Sequence, residues 1–392
     1  MALASLAMAL AGCGPGRPLS ETGPVPPAVE PPASAEIDAA MRRGIAFLIA
    51  HQNADGSWGS ARNTKGLNVY APVPGAHTAF RAGVSALAVM ALCETLDRTA
   101  PDQSAAARSA LARGEEYLLA NLPGVRRCAP DALYNVWSHA YGIRALVRMA
   151  RRSDDPHRRE RIRKLIASQV DMLARFESVS GGWGYYDFGY SMQKPGMKAM
   201  PFTTATSLIA LDEARRFGVD VPQRLIDRGL GHLRRTRNPD GSFCYSEMHV
   251  YRPGRTINRP SGSLGRSQAC NLAMRTWGDA AITDAVLEAW LNRLWAREGW
   301  LSRARKMPVP HESFCSISGY FYYYGIFYAG GCIEQLPPER RPWHQAHLAR
   351  ILLDLQETDG SWWDYPLYDY HKGWGTAMAM MALKDCQVSI DN

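Results

Sequence analysis

The chain has 392 residues, of which 46% are hydrophobic and 21% charged, so it is globular and long enough to bury a large core. Its formal net charge of +8 does not indicate nucleic-acid binding, because the arginines are scattered along the predicted helices. Their one cluster, at 151–164, has no interleaved aromatic residues. The cysteines have no close CxxC spacing, so neither a zinc ribbon nor a disulfide scaffold is indicated.

The first 13 residues, MALASLAMALAGC, form a short uncharged apolar run that ends on small residues. This run is too short to cross about 30 Å of hydrocarbon. It therefore predicts an export signal, with a disordered alanine-rich start as the alternative. Leu10-Ala11-Gly12-Cys13 also resembles a bacterial lipobox, which implies a lipid anchor on Cys13 and an exported, periplasmic or cell-envelope lipoprotein. Residues 14–36 are proline-rich and predict a disordered linker, followed by one domain over 37–392.

A turn motif that carries an aromatic residue recurs along the chain. It stands at HQNADGSWGS (51–60), VSGGWGYYDF (179–188), NPDGSFCY (238–245), AREGWLSR (296–303) and QETDGSWWDY (356–365). The aromatic residues are about 60 residues apart, except for a first gap of about twice that length, which predicts a degenerate copy around Gly124. The positions assigned to this structural repeat are Gln52, Gly56, Trp58, Trp183, Phe243, Trp300, Gln356, Gly360 and Trp362.

Each turn lies between two predicted helices of different character. The helix before the turn is amphipathic and carries Arg and Glu on one side, which is typical of an outer helix with one wet face. The helix after the turn is rich in small and aromatic residues all round, as a fully buried helix is. The outer segments are 41–52, 111–122, 162–176, 225–236, 286–297 and 347–358, and the inner ones are 77–92, 136–150, 203–214, 266–277, 317–330 and 375–383.

Six such pairs bury both kinds of helix if the inner helices form a ring inside the outer ones. The predicted fold is therefore all-α, an (α/α)6 toroid in one domain around a central cavity. The turn glycine ends the outer helix in a left-handed conformation, and the aromatic residue after it packs between neighbouring hairpins.

The motifs Gln52-Asn53-Ala54-Asp55-Gly56-Ser57-Trp58 and Gln356-Glu357-Thr358-Asp359-Gly360-Ser361-Trp362 resemble the QxxDGSW repeat of squalene and hopene cyclases. The resemblance extends more loosely to protein prenyltransferase β subunits and covers residues 40–386. It implies the toroid fold and an isoprenoid or lipidic ligand. One scaffold can host unrelated chemistries, so activity has to be argued from the site.

The chain departs from both enzyme classes at the residues that carry their chemistry. The cyclases protonate their substrate with a DxDD motif, which does not occur here. The prenyltransferases bind zinc through Asp, Cys and His; Cys270 fits that pattern only if it is shortened, and Gln268 replaces the Asp. We therefore expect no zinc or other metal and no cofactor.

Aromatic residues are concentrated where the cavity wall is expected. The segment GYFYYYGIFY (319–328) is almost continuously aromatic, and GYYDFGY (184–190) and DYPLYDYHKGW (364–374) lie in loops at the heads of inner helices. Aromatic rings stabilise a carbocation, bury an isoprenoid or stack on a sugar, whereas core packing is the alternative role. The candidate ligand-binding residues are Tyr186, Asp187, Tyr320, Tyr323, Tyr324, Phe327 and Arg266, the last as part of an anion seat.

Polar residues in the same loops are candidates for catalysis. Asp364 and Asp369, with His371 beside them, have the composition of an acid and base pair such as (α/α)-barrel glycosidases use. The alternative is that the carboxylates cap helices and hold turns. His77 and His139 are further polar candidates at the rim.

Three functions remain open. The first is an exported toroid, with degenerate catalysis or none, that binds an isoprenoid or lipid in an aromatic cavity. The second is a carbohydrate-active hydrolase or lyase with a glycan ligand. The third is a non-catalytic envelope scaffold with a protein partner. A deep apolar cavity favours the first, an open polar groove with two carboxylates the second, and a filled centre the third.

Overall fold

The computed structural model describes residues 17–65, 74–188, 194–196, 199–252, 254–258, 260–308 and 319–386. Cys13 lies outside these ranges. The outer helices are α1 (Ser34–Ala50), α3 (Ser104–Asn121), α5 (Pro156–Arg175), α7 (Gln223–Thr236), α9 (Asp284–Ala296) and α12 (Arg341–Asp354). The inner helices are α2 (Pro74–Thr95), α4 (Asn135–Arg152), α6 (Pro201–Arg216), α8 (Pro260–Thr276), α11 (Tyr322–Glu334) and α13 (His371–Leu383). A short helix, α10 (Glu298–Ser302), follows α9.

The inner helices form a closed ring, which confirms the predicted all-α toroid. Each packs on the next in chain order, and the last, α13, packs on the first, α2. Outer helices bury one stripe, as α5 does with Ile162, Ile166 and Leu173, whereas α2 and α13 are buried nearly all round. The segment Pro74–Arg98 is long and apolar enough to span a membrane, but its side chains pack inside this ring.

The two ends of the toroid differ. Because outer and inner helices alternate in direction, every connection from an outer to an inner helix lies at one end, which we call the mouth end. At the opposite end, the base, buried charges pair across the ring. Glu213 lies 2.8 Å from Arg144 Nε and 2.6 Å from Arg148 Nη1, and Arg148 also contacts Glu94. Lys384 lies 3.7 Å from Glu94, so these groups close the base.

The turn motif joins each hairpin to the next outer helix. Gly56 has φ of +86°, and an added Cβ would collide with the carbonyl of Arg113 in α3. Only glycine fits this left-handed, close approach. The Gln52 amide donates to the Ala110 carbonyl of α3 at 2.8 Å. Trp58 is buried, and a Cβ on Gly114 would lie 2.8 Å from its indole ring.

The same contacts close the ring between its last and first repeats. Gln356 donates to the Ala40 carbonyl of α1 at 2.9 Å, and Gly360 (φ +85°) approaches the Arg43 carbonyl. The Trp362 ring lies 3.0 Å from the position of a Cβ on Gly44. An aromatic ring fitted to a helix glycine thus links α12 and α13 to α1.

Of the three other turns that carry an aromatic residue, two bury it and one does not. Trp183 packs on Gly229 of α7, and Phe243 is fully buried. Trp300, predicted as the fifth aromatic wedge, is instead 49% exposed on α10, and its neighbour Leu301 is buried. The short helix α10 continues the chain beyond α9 and turns the indole outward.

The described part of the proline-rich segment contacts two outer helices. This part begins with a helical turn at Leu19–Glu21, and Arg293 of α9 donates to the Leu19 carbonyl at 2.7 Å. Further along, the Pro27 carbonyl lies 3.0 Å from His347 Nε2 of α12. Proline-rich backbone retains every carbonyl acceptor while it loses N–H donors, so donors on the outer helices hold it in place.

Candidate functional site

A cavity of about 380 Å³ opens in the centre of the ring towards the mouth end. Its wall comes from the first turns of the inner helices and from the loops before them. The lining residues are Ala79, Phe80, Gly83, Val84, Leu87, Tyr134, Trp137, Tyr141, Tyr185, Tyr186, Phe202, Tyr245, Tyr320, Phe321, Tyr324, Tyr365, Leu367, Trp374 and Met378. None of these residues carries a charge.

The elements around the cavity contribute side chains of different size. Helix α2 presents Ala79 and Gly83 one turn apart, which leaves open space on its side of the ring. Opposite, Phe202 at the start of α6 packs edge to face on Phe321, with ring centroids 4.8 Å apart. Trp137 of α4 makes the same type of contact with Tyr324 at 6.0 Å. Edge-to-face packing fixes the rings and turns some electron-rich faces into the cavity.

The tyrosine hydroxyl groups on the wall bond largely to one another. Tyr134 and Tyr186 are joined at 3.1 Å, and the Tyr245 hydroxyl bonds to those of Tyr185 and, at 3.3 Å, Tyr320. Burial raises the pKa of Tyr185 and of Tyr245 well above the ordinary value, so both stay neutral. The wall is therefore an apolar, uncharged surface on which five of the eight tyrosine hydroxyls bond to one another.

Helix α11 and the helical turn before it carry four of the predicted ligand-binding residues, of which two line the cavity and two do not. Tyr320 and Tyr324, four residues apart, lie on the wall, as does Tyr186. Tyr323 and Phe327 do not line the cavity; they occupy another face of the helix and are buried in the core. Phe327 packs under the Arg144 guanidinium at 5.2 Å. The sequence could not distinguish these faces, because nearly every residue of the segment is aromatic.

Arg266 and Asp187 hold the wall from behind. Arg266 is fully buried and donates to the carbonyls of Phe243, at 3.1 Å, Gly262 and Ile257. These three carbonyls hold the guanidinium in the interior, and Arg266 is not among the residues that line the cavity. Asp187 pairs with Arg127 at 2.8 Å and accepts from the Gly196 amide at 3.0 Å, which ties together two loops at the mouth end.

The predicted catalytic residues have separate partners, and none of them lines the cavity. Asp364 is fully buried and accepts from the amides of Tyr323 (3.1 Å) and Tyr365 (2.7 Å) and from the Trp374 indole (3.1 Å). Burial raises its pKa to about 7, against the lowering effect of these donors. Because Tyr365 and Trp374 are wall residues, Asp364 anchors the wall and the start of α11.

Asp369 and His371 hold the loop before α13. Asp369 accepts from Ser60 and Arg62, each at 3.0 Å, and is partly exposed. The His371 ring donates from Nδ1 to the Tyr368 carbonyl at 2.6 Å, and burial lowers its pKa. The structure therefore does not assemble the acid and base pair. Within the described ranges, no group of three or more His, Cys, Asp or Glu side chains is arranged to hold a metal ion.

The two remaining histidine candidates have structural contacts. His77 lies 3.3 Å from the Tyr370 hydroxyl and packs edge to face on Tyr368. His139 is fully buried between α4 and α5 rather than at the rim. Its Nδ1 donates to Gln169 at 2.7 Å, and its Nε2 accepts from Asn135 at 3.3 Å.

His139 makes the stability of the toroid sensitive to acid. Burial lowers its pKa from 6.5 to about 4, so between these values the unfolded chain binds more protons than the folded one. Its contribution is complete above pH 6.5 and is lost as the pH falls towards 4. We expect urea denaturation of the wild type to show a loss of roughly 2 kcal/mol between pH 6.5 and 4.5 that His139→Gln lacks. Equal pH slopes for the two proteins would contradict this assignment.

Several wall residues had no individual prediction. Trp137, Phe202 and Tyr245 lie on the cavity wall, yet their sequence surroundings are those of ordinary core aromatics. The usable signal is positional: Trp137 and Phe202 stand in the first turn of an inner helix, whereas Tyr245 stands two residues after the turn aromatic Phe243, as Tyr185 does after Trp183. A search for that register in all six repeats would have found them.

No family model matches this sequence, and no curated protein matches it. Several solved structures are similar to this chain. The type II terpene cyclase MstE from Scytonema is 14% identical, with 90% of this chain and 98% of that chain covered and a TM-score of 0.50. The GH76A α-1,6-mannanase from Salegentibacter sp. HEL1_6 is 12% identical, with 90% and 100% covered and a TM-score of 0.56.

An inactive variant of that mannanase, in which two consecutive aspartates are replaced by alanine, was solved with α-1,6-mannotetrose and is also similar. It is 11% identical, covers 90% of this chain and 99% of its own, and has a TM-score of 0.54. At these identities the likeness establishes the α/α toroid fold. Terpene cyclases and carbohydrate-active enzymes share this fold, so the function depends on the cavity.

Proposed function

We propose that the toroid binds a neutral, apolar ligand of the isoprenoid or lipid class in its central cavity. The observation that carries the proposal is the composition of the wall. Its 19 lining residues include eight tyrosines, more than of any other residue type, and no charged side chain. An apolar ligand gains free energy by leaving water for such a surface, at about 25 cal/mol per Å² buried. A cavity of about 380 Å³ is in the size range of small-ligand sites.

The same wall is poorly suited to a glycan. A sugar carries many hydroxyl groups, and each one buried without a partner weakens binding. The Tyr134–Tyr186 and Tyr185–Tyr245–Tyr320 hydroxyls already bond to one another. The only two consecutive aspartates of this chain, Asp154 and Asp155, lie at the start of the outer helix α5, where Asp155 caps the helix. These features favour an isoprenoid over an oligosaccharide.

The arrangement favours binding over acid-initiated chemistry. The aromatic faces of the wall can stabilise a cationic centre. An acid that starts such chemistry has to reach the substrate, and no carboxyl group is among the residues that line the cavity. Asp364, the nearest candidate by its contacts, is engaged by three N–H donors behind Tyr365 and Trp374.

Equilibrium binding of tritiated farnesol tests the proposal. We expect farnesol to bind in the micromolar range and to bind at least about tenfold more tightly than farnesyl diphosphate, because no cation on the wall compensates the diphosphate charge. The sugar α-1,6-mannotriose should not compete. Binding of mannotriose without binding of farnesol would favour the carbohydrate alternative and overturn the proposal.

A further inference from the structure

Exposed apolar side chains are concentrated at the mouth end. Met248 and Tyr251, in the loop before α8, are 56% and 88% exposed, and Trp300 on α10 is 49% exposed. Met307, in the segment that follows α10, is also exposed. Helix α10 packs on α8, the inner helix that the loop of Met248 and Tyr251 precedes. We call these four residues, with the arginines named next, the mouth patch.

Cationic side chains accompany these apolar ones. Arg252 and Arg255 are exposed beside Tyr251 and form no ion pair with any described residue. Arg303 is exposed and lies over the Trp300 ring, with 5.9 Å between the guanidinium carbon and the ring centroid. Apolar and aromatic side chains interspersed with arginine match the interfacial region of an anionic bilayer, where rings enter the headgroup layer and cations meet lipid phosphates.

The mouth patch adjoins the entrance to the cavity. Tyr251 is six residues from Tyr245, a wall residue, within the same loop. On the other side, Lys65 donates to the Pro308 carbonyl at 2.8 Å and lies 4.0 Å over the ring of the wall residue Tyr365. Contact of the mouth patch with a bilayer would therefore place the cavity opening at the lipid surface.

The N-terminal segment also leaves the toroid at the mouth end. Arg293 donates to the carbonyls of both Leu19 and Asp240, and Asp240 lies in the mouth-end turn after α7. The chain before Leu19 therefore leaves the toroid in the sector of α8 and α9. Three residues lie between Cys13 and Arg17, so the Cα atoms of these two residues are at most about 14 Å apart. A lipid on Cys13, which remains a prediction from sequence, would hold this end near the membrane.

From these observations we infer that the mouth patch is a membrane-docking surface that seats the cavity opening on an anionic lipid bilayer. The inference rests on the exposed residues and on the exit point of the chain. It is separate from the identity of the cavity ligand, and the patch residues named above do not line the cavity.

Vesicle flotation of the full chain carrying Cys13→Ala tests the inference without a lipid anchor. Vesicles of phosphatidylcholine with roughly one third phosphatidylglycerol should float the protein, and pure phosphatidylcholine should float much less. The triple variant Met248→Ser, Tyr251→Ser, Trp300→Ser should lower the partition coefficient at least about tenfold. Arg252→Gln with Arg255→Gln should remove most of the preference for anionic vesicles.

Trp343→Ser is the matched control, because this residue is 38% exposed near the start of α12, towards the base. It should float as the parent does. Absence of flotation, or equal flotation of the parent and the triple variant, would overturn the inference. All variants should retain farnesol binding in detergent. Loss of farnesol binding in detergent would count against the proposed function, whereas loss of vesicle flotation alone would count against membrane docking.

Discussion

Replacing Trp362 by alanine is expected to lower the free energy of unfolding by about 4 kcal/mol. The indole is fully buried, donates to the Leu352 carbonyl at 2.8 Å and packs on Gly44 of the first helix. Alanine leaves a cavity at the junction of the last and first repeats and removes one of the two hydrogen bonds to the Leu352 carbonyl, which keeps only the bond from the Leu355 amide at 3.3 Å. Urea denaturation followed by circular dichroism measures the change.

Trp300→Ala provides a control with the same chemical change on an exposed side chain. It should alter stability by less than about 0.5 kcal/mol. Trp362→Phe keeps a ring but loses the N–H donor, so its loss of unfolding free energy should lie between those of the two alanine variants. This variant can be measured if Trp362→Ala does not accumulate as folded protein. A loss below about 1 kcal/mol for Trp362→Ala, or an equal loss for Trp300→Ala, would contradict the closure of the ring by this side chain.

The fold could be predicted from sequence because it depends on a periodic pattern. Amphipathic and uniformly apolar helices alternate six times, and the left-handed glycines at Gly56 and Gly360 mark the turns. Errors arose where a local contact overrides the pattern. Trp300 has the right spacing, yet α10 turns it outward and buries Leu301.

The candidate site was less predictable, because it depends on which face of each helix turns inward. Tyr320 and Tyr323 are three residues apart in the same aromatic run, but only Tyr320 lines the cavity. Asp364 looked like a candidate acid from its position in a rim loop. One of the two backbone amides that bond to it belongs to Tyr323, 41 residues away, and sequence spacing does not reveal this contact.

The second large effect is expected from Gly83→Leu in α2. Gly83 lines the cavity, and an added Cβ would meet only Ser138 at 3.8 Å, an ordinary contact. A leucine is therefore accommodated in the helix, where it is a better helix former than glycine, while its side chain occupies space in the cavity. A ligand forced against this side chain loses about 3 kcal/mol, which corresponds to roughly a hundredfold weaker binding.

The affinity of farnesol for the wild type, Gly83→Leu and Gly231→Leu is the measurement that tests the central cavity most directly. Gly231 lies on the outer helix α7, where an added Cβ would meet only the Arg235 side chain at 3.5 Å, so its variant controls for a glycine-to-leucine change in a helix. We expect wild-type affinity for Gly231→Leu and about a hundredfold loss for Gly83→Leu. Equal farnesol affinity in all three proteins, or no farnesol binding to the wild type, would contradict the assignment of the cavity as the ligand site.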